Sequence, residues 1–388
     1  MIKFAIITTH PVQYNAPLFR LLTERKNIEI KVFYTWSQTV SGVKFDPGFG
    51  KTIEWDIPIL DGYEYSFVEN ISEKPGSHHY KGINNPTLVK EIQEWNADSL
   101  LVYGWNFKSH LKAIRFFKNK IPVLFRGDST LLDEKPGTKK IIRRAVLKYI
   151  YSFVDIALYA GKANKAYFVA HGFTEKQLVF MPHAIDNKRF AANEENLLAG
   201  KALRKKLHIP DNALVFLFAG KLDENKNAVL LMEAFINCND EESYLLVVGN
   251  GNQEQNLKDS YKGKNNIRFL DFQNQQNMPG LYSAGNVFVL PSKSETWGLA
   301  VNEAMAAGKA IILSDACGAS YDLVRNMENG FAFKNNDKVS LQASLQYFVD
   351  HKNETQIMGQ KSLLKIKEYS YCTDCIAVEK AVTAIIYK

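Results

Sequence analysis

Short apolar segments alternate with stretches of helical periodicity along almost the whole chain, and this alternation constrains the fold more than any other feature. Helical spacing follows the first apolar segment and returns at 86–95 and 108–118. Strands that alternate with helices in this way form parallel sheets covered by helices. The first half therefore predicts an α/β domain. Its predicted strands are 2–8, 29–34, 99–103, 121–125 and 155–159.

The same alternation starts again after a polar, charged segment that runs from Asp186 to Pro210. A chain of 388 residues is too long for one ordinary core and suits two domains. We predict a Rossmann-like domain over 1–195, a second over 196–370, and an amphipathic helix over 371–388 that packs back on the first domain. In the second half the predicted strands are 214–219, 243–248, 267–270, 286–290 and 310–313, and the predicted helices are 226–236, 299–307 and 339–350.

The cysteines are too few and too scattered for a disulfide framework, which predicts a cytoplasmic protein. The N-terminus resembles a buried strand and not a signal peptide, and no apolar run is long enough to cross a bilayer. Cys372 and Cys375 form a CxxC, but no second CxxC or spaced histidine pair accompanies it, so no zinc site is predicted. No Asp-x-Asp occurs, so we expect neither a divalent metal nor a cofactor.

Segment 287–313 predicts a strand, a loop and a helix, and it contains two carboxylates. Glu295 lies in the loop, and Glu303 follows the start of a helix near Gly298. Backbone amides at a helix start can hold a diphosphate, and a carboxylate can accept two hydroxyl hydrogen bonds from a sugar. The alternative is that Glu295 caps the helix and Glu303 lies on its solvated face.

A second cluster places Gly220 at a strand end, with Lys221 and Lys226 around the polar turn that follows. Two cations can grip one diphosphate from different sides, although ordinary surface lysines would give the same pattern. Both clusters follow carboxyl ends of strands of one predicted parallel sheet, where open α/β folds bind ligands.

Three segments in this order, GKLDENKN, VVGNGNQEQNL and ETWGLAVNEAMAAGKAII, resemble the motif series of the family 4 retaining glycosyltransferases of the GT-B fold. The resemblance covers about residues 212–335 and includes the family's two glutamates in Glu295 and Glu303. It implies two Rossmann-like domains whose parallel sheets face each other across a cleft, with a nucleotide-sugar donor held mainly by the second.

The resemblance also implies roles for individual residues. Glu303 would hold the nucleotide ribose and Glu295 the transferred sugar, while Lys221, which replaces the family's usual arginine, and Lys226 would neutralise the diphosphate. Gly220 and the loop residues Thr296, Trp297, Gly298 and Leu299 would complete the donor site. The base would meet the stretch Asp271, Phe272 and Gln273, where Asp271 replaces a common glycine.

The first domain resembles the family less closely. Its loop after the first strand, Thr9 to Gln13, is similar to that of a subset that acts on bacterial surface polysaccharides. This makes His10 and Gln13 candidates for contact with acceptor or sugar, and the alternative for His10 is a structural loop histidine. Arg126 and Asp128 stand where the family tends to have a histidine. Asp128 could accept from a donor-sugar hydroxyl with Arg126 as a further sugar contact, or the two could simply pair.

Segment 138–153 combines apolar residues with five cations. Such a helix either lies on an anionic membrane or packs its apolar side inward with a solvated basic side.

Together these features predict a metal-independent, retaining glycosyltransferase in polysaccharide or glycoconjugate synthesis. It would move a sugar from a nucleotide diphosphate sugar to a glycan or lipid-linked acceptor, in the cytoplasm or at the inner face of the membrane, with no nucleic-acid partner. The alternatives are a nucleotide-sugar epimerase of GT-B architecture, a nicotinamide-dependent dehydrogenase and a two-lobed sugar-binding protein. The segment 249–254 lacks the third glycine of a dehydrogenase fingerprint.

Overall fold

The computed structural model describes residues 1–36, 43–46, 51–54, 56–134 and 136–387. Within these ranges the strands are β1 (Ile2–Thr8), β2 (Ile28–Tyr34), β3 (Val43–Asp46), β4 (Lys51–Glu54), β5 (Glu64–Phe67), β6 (Ser99–Tyr103), β7 (Val123–Arg126), β8 (Ile156–Tyr159), β9 (Leu178–Phe180), β10 (Val215–Ala219), β11 (Tyr244–Val248), β12 (Ile267–Leu270), β13 (Val287–Leu290), β14 (Ala310–Ser314) and β15 (Gly330–Phe333).

The α-helices alternate with these strands, and short 3-10 helices cover Tyr80–Gly82 and Glu175–Gln177. The α-helices are α1 (Ala16–Arg25), α2 (Leu88–Glu94), α3 (Lys108–Phe117), α4 (Thr138–Tyr151), α5 (Lys162–Ala170), α6 (Asn187–Phe190), α7 (Glu194–Lys206), α8 (Ala228–Ile236), α9 (Glu254–Ser260), α10 (Met278–Ala284), α11 (Leu299–Ala306), α12 (Ser320–Leu323), α13 (Lys338–Asp350), α14 (Glu354–Ile366) and α15 (Tyr371–Ile386).

The strands form two large parallel sheets. One has the order β5-β2-β1-β6-β7-β8-β9, and the other has the order β12-β11-β10-β13-β14-β15. Every residue of β10, β13 and β14 is buried, as expected for strands covered by helices on both faces. Parallel pairing brings the carboxyl ends of neighbouring strands to one edge of each sheet, and the loops at that edge carry most of the predicted site residues.

The chain divides into two compact units, one on each large sheet. Unit 1 comprises Met1–Lys44, Ile57–His183 and Tyr371–Lys388, and unit 2 comprises Phe45–Asp56 and Ala184–Ser370. The chain therefore enters unit 2 earlier than the expected boundary at 195. The physical reason is that α6 belongs to the core of unit 2, where Phe190 is buried against Tyr282 with ring centroids 5.8 Å apart.

The C-terminal helix α15 belongs to unit 1, as predicted from the sequence. Arg25 on α1 donates two hydrogen bonds to the Glu379 carboxylate, at 2.7 and 2.8 Å. Cys375, Val378 and Val382 are buried in the same apolar cluster as α1. This packing completes one face of the first sheet with the last helix of the chain.

Candidate functional site

The loops that follow β10 and β11 lie in close contact at the carboxyl edge of the second sheet. The Gly220 amide donates to the Val248 carbonyl at 3.0 Å, and the Leu222 amide donates to the Asn250 carbonyl at 2.9 Å. A Cβ atom at Gly249 would lie 1.9 Å from the Gly220 carbonyl oxygen. Glycine is therefore required for this approach of the two loops.

The loop after β13 joins the loop after β10. The Lys293 amide donates to the Asn225 carbonyl, and the Asn225 side chain donates to the Ser294 carbonyl, each at 2.8 Å. Lys226 and Glu295 form an ion pair whose side chains keep only 22% and 18% of their surface exposed. The structure thus brings a predicted phosphate-binding cation and a predicted sugar-binding carboxylate together.

Helix α11 begins beside this pair. Gly298 precedes it with a φ of +98°, a conformation that favours glycine, and no side chain caps the helix. The first amides of a helix lack intrahelical acceptors, so this end carries partial positive charge. The alternative in which Glu295 caps the helix is therefore wrong, and the amides at Gly298 and Leu299 remain available to an anionic ligand.

Trp297 fixes the loop that carries Glu295 and Thr296. Its buried indole donates to Asn302 Oδ1 at 2.9 Å, and its carbonyl accepts from the Cys317 thiol at 2.8 Å. Burial raises the pKa of Cys317 to about 12, so the thiol stays a protonated donor. The Trp297 side chain thus supports the loop from inside the core.

Glu303 is buried, with 2% of its surface exposed, on the first turns of α11. Its Oε2 accepts a hydrogen bond of 2.7 Å from the Tyr282 hydroxyl on α10. The alternative that places Glu303 on a solvated face is therefore wrong. A carboxylate has two oxygens with about four acceptor positions, so Glu303 can accept from ligand hydroxyls in addition to Tyr282.

The predicted base-binding stretch follows β12. Asp271 is exposed, with Oδ1 3.4 Å from Lys258 Nζ, and the Gln273 side chain donates to the Asp271 carbonyl at 2.9 Å. The Phe272 amide donates to Oδ1 of the buried Asn250 at 2.8 Å. Sequence reasoning missed Asn250 as the residue that shapes this stretch, although it lies within the motif VVGNGNQEQNL.

In unit 1, Arg126 is buried and donates to the backbone. Its guanidinium contacts the Met181 carbonyl and donates to the Pro182 carbonyl at 3.3 Å, so it holds the segment that ends unit 1. Its Nε lies 3.9 Å from Asp128, whereas His183 Nε2 lies 3.2 Å from the same carboxylate. Asp128 thus pairs with both residues, and His183 is the nearer partner.

The His183–Asp128 pair lies at the carboxyl edge of the first sheet, after β9 and β7. Desolvation opposes ionisation of Asp128, but the charge and hydrogen bond of His183, with Arg126, outweigh it and lower the carboxyl pKa below its usual range. Asp128 is therefore an ionised acceptor with half its side chain exposed. Sequence reasoning missed His183, because the strand that precedes it, β9, was not predicted.

The other candidates of unit 1 lie in the loop between β1 and α1. His10 Nδ1 is 2.9 Å from Thr9 Oγ1, and its ring meets Trp36 edge-on with centroids 5.5 Å apart. Gln13 is half-buried.

Comparisons with known proteins bear on unit 2 first. Residues 200–364 match the family model described as glycosyl transferases, group 1. Unit 2 is therefore similar to the group 1 glycosyl transferases over most of its length. This confirms the resemblance seen in the motifs, since the matched range contains both glutamates and both lysines.

The chain is similar to curated glycosyltransferases. It is 28% identical over 227 residues to an Escherichia coli UDP-Gal:alpha-D-GlcNAc-diphosphoundecaprenol alpha-1,3-galactosyltransferase, over 54% of this chain and 57% of that protein. It is 24% identical over 256 residues to a Campylobacter jejuni alpha-1,4-N-acetyl-D-galactosaminyltransferase that acts on an undecaprenol-linked glycan, over 64% of this chain and 65% of that protein. The chain thus matches less than two thirds of the length of these relatives.

Solved structures match the whole chain in fold. Anabaena Alr3699/HepE in complex with UDP covers 99% of this chain and all of its own, with a TM-score of 0.73 and 15% identity. The lipopolysaccharide outer core galactosyltransferase WaaB covers 99% of both chains, with a TM-score of 0.70 and 14% identity. The fold is GT-B, as predicted.

Two features are absent from the residues that the structure describes. No helix among them is long and apolar enough to cross a membrane. Within the same residues, no three His, Cys, Asp or Glu side chains are grouped as metal ligands.

Proposed function

We propose that the protein is a retaining glycosyltransferase that moves a sugar from a nucleoside diphosphate donor to a hydroxyl group of a glycan or lipid-linked acceptor. One observation carries the proposal: buried Glu303 and the Lys226–Glu295 ion pair lie on the loops and helix start at the carboxyl edge of one parallel sheet. Open α/β sheets bind nucleotides at this edge.

The donor site follows from the chemistry of these groups. Glu303, oriented by Tyr282, accepts hydrogen bonds from the vicinal hydroxyls of the ribose. The uncapped start of α11 holds the diphosphate through backbone amides. Asp271, Phe272 and Gln273 lie beside the base.

Catalysis is then mainly electrostatic. Negative charge grows on the leaving diphosphate as its bond to the anomeric carbon breaks, and Lys226, Lys221 and the α11 amides stabilise that charge. The acceptor oxygen forms its bond on the same face of the sugar, and its proton passes to an oxygen of the departing phosphate. Glu295 orients the sugar by accepting from its hydroxyls.

The ion pair of Lys226 and Glu295 gives this scheme a resting state. Before a donor binds, the Lys226 and Glu295 charges neutralise each other. When the donor binds, its phosphate pairs with Lys226 and a sugar hydroxyl donates to Glu295, so the ion pair is exchanged for two contacts with the donor. Because lysines and amides carry the positive charge, the scheme needs no divalent metal, and activity should persist in the presence of a chelator.

The named acceptors of the relatives support a glycan acceptor linked to a polyprenol diphosphate, as in surface polysaccharide synthesis. UDP bound in the HepE structures supports a uridine donor. Such a reaction places the protein at the cytoplasmic face of a membrane, as a peripheral protein.

The test is an assay with a panel of nucleotide sugars and a synthetic polyprenyl-diphosphate glycan. We expect nucleoside diphosphate release that depends on the acceptor, and a product whose anomeric configuration, read by NMR, is that of the donor. An inverted product would refute retention. Isomerised sugar in an incubation with donor alone would instead favour the epimerase alternative.

A further inference from the structure

Helix α4 turns large apolar side chains toward solvent. Ile141, Ile142, Val146 and Tyr149 are exposed by 70%, 64%, 48% and 57%. The side chains of α4 that are buried are Leu147, Ile150 and Tyr151. The alternative in which this helix packs its apolar side inward is therefore wrong for these four residues, because a second apolar face lies outside the core.

The outward face has an ordered arrangement. With 100° of rotation per residue, Ile142, Val146 and Tyr149 follow one another at i, i+4 and i+7, opposite the buried side chains. Ile141 and Ala145 extend the same face. The Tyr149 ring meets Phe153 edge-on, with centroids 5.1 Å apart, so an aromatic pair ends the apolar strip.

Cations border this strip on both sides. The helix carries five basic residues and no acidic one. Glu134 accepts from Lys140 and Arg144, at 2.7 and 2.8 Å, and these contacts lower its pKa. On the same rotation, exposed Lys139 and Arg143 flank one side of the strip, and exposed Lys148 flanks the other.

We propose that α4 is a docking surface for an anionic lipid membrane. The apolar strip enters the boundary between headgroups and acyl chains, and the flanking cations contact lipid phosphates, as in interfacial amphipathic helices. A second copy of the chain fits this surface poorly, because two cationic borders would face each other. Docking requires neither donor nor acceptor, so it stands apart from the proposed reaction.

The surface adjoins the part of unit 1 that carries Asp128. Arg143 of α4 lines a cavity of about 310 Å³ together with Asp128, Trp105 and Asn106. A membrane beneath α4 would thus lie next to a polar and aromatic cavity at the carboxyl edge of the first sheet. If the proposed function holds, this is where a membrane-anchored acceptor would arrive.

Vesicle co-sedimentation of the full chain tests the proposal, with phosphatidylcholine vesicles that contain or lack phosphatidylglycerol. We expect binding to the anionic vesicles that is at least tenfold tighter and falls with added salt. The double variant Ile142→Ser/Tyr149→Ser should lose most of this binding. Arg143→Gln/Lys148→Gln should lose about fivefold per cation and much of the salt dependence.

Helix α7 provides a matched control, because it also exposes two leucines, Leu197 and Leu198, by 44% and 59%, and it carries basic residues. The double variant Leu197→Ser/Leu198→Ser should bind anionic vesicles like the wild type. Thermal unfolding of each variant reports whether it has folded. Equal binding to both vesicle types, or full binding by a folded α4 variant, would overturn the proposal. A dimer lost in the α4 variant, without vesicle binding, would assign the surface to a second copy.

Discussion

Lys226 and Glu295 show how much of the proposed chemistry depends on single residues. Their side chains are mostly removed from solvent, so salt and water screen this ion pair less than a pair on the surface. Removal of either partner leaves a charge with reduced hydration beside the donor site. In the proposed scheme, these two side chains link donor binding to charge stabilisation.

Lys226→Ala should lower kcat by about 10²–10³-fold, the usual loss when one stabilising group for developing charge is removed. Lys226→Arg, which keeps the charge, should recover part of this loss. Steady-state release of nucleoside diphosphate measures both. The control is Lys293→Ala, because Lys293 lies in the adjoining loop but pairs with exposed Glu224 at 3.0 Å. Normal turnover of Lys226→Ala would refute the scheme.

The sequence was sufficient to identify site residues that lie close together along the chain. Glu295 and Glu303 occur in one strand–loop–helix, so their proximity to the helix start could be inferred from spacing. Tyr282, Asn250 and His183 could not be found in this way. Each acts through a partner on a different element, such as Glu303 for Tyr282 and Asp128 for His183, and that proximity exists only after the sheets have formed.

At the scale of elements, the start of α11 depends on Gly298. A Cβ atom there would lie 2.9 Å from Leu290 Cδ2 and 3.2 Å from Cys317 Sγ, in addition to the strain of its positive φ. Gly298→Ala should therefore weaken donor binding about tenfold and destabilise the protein by roughly 1–3 kcal/mol.

Gly263→Ala is the matched control for this substitution. Gly263 has a similar φ of +90°, but its Cβ would meet no atom within 4 Å. Both variants share the backbone strain, so the difference between them isolates crowding at the donor loop. Donor titration and thermal unfolding of the two proteins measure it, and equal donor affinity in both would show that α11 does not hold the diphosphate.

A buried carboxyl on the C-terminal helix α15 should make the stability of the protein depend on pH. Asp374 is buried on α15, and burial raises its pKa well above the usual value, although Arg126 opposes this. Above pH ~4 the unfolded chain releases a proton that the folded carboxyl keeps, so Asp374 lowers stability as pH rises. Asp374→Asn should therefore stabilise the protein more at pH 8 than at pH 5.

We expect Asp374→Asn to raise Tm at pH 8 by about 2–4 °C, which corresponds to about 1 kcal/mol for a domain of this size. Thermal unfolding of wild type and variant at the two pH values measures this. Asp61→Asn, at an exposed position, is the control and should change Tm at neither pH. A destabilised Asp374→Asn at pH 8 would show that the ionised carboxylate is needed.

At the scale of the whole molecule, the fold followed from the central strands. Each strand predicted from an apolar run exists to within two residues at either end. The predictions omitted β3 and β4, which form a separate two-stranded sheet, and β5, β9 and β15, which lie at edges of the two large sheets. Edge strands have one neighbour and partial exposure, so β5 and β9 lack a buried apolar run. These edge strands were therefore missed, whereas the strands covered by helices on both faces were predicted from their apolar runs.

The division into units was predictable only in part. The polar segment from Asp186 marks a change of unit, but α6 within it joins unit 2 because Phe190 packs into that core. Likewise, Asp56 accompanies unit 2 because its backbone carbonyl accepts from the Gln276 side chain at 2.6 Å. Such assignments depend on contacts between segments far apart in sequence, which a local pattern does not contain.

The central claim is that unit 2 binds a nucleoside diphosphate sugar through Glu303, and calorimetric titration with a panel of such donors tests it most directly. We predict that the wild type binds at least one donor and that Glu303→Gln binds it 10- to 100-fold more weakly, a loss of about 1.4–2.8 kcal/mol. Glu328→Gln, at an exposed position, should bind like the wild type. The account would be contradicted if no donor bound to the wild type, or if Glu303→Gln bound the donor equally well.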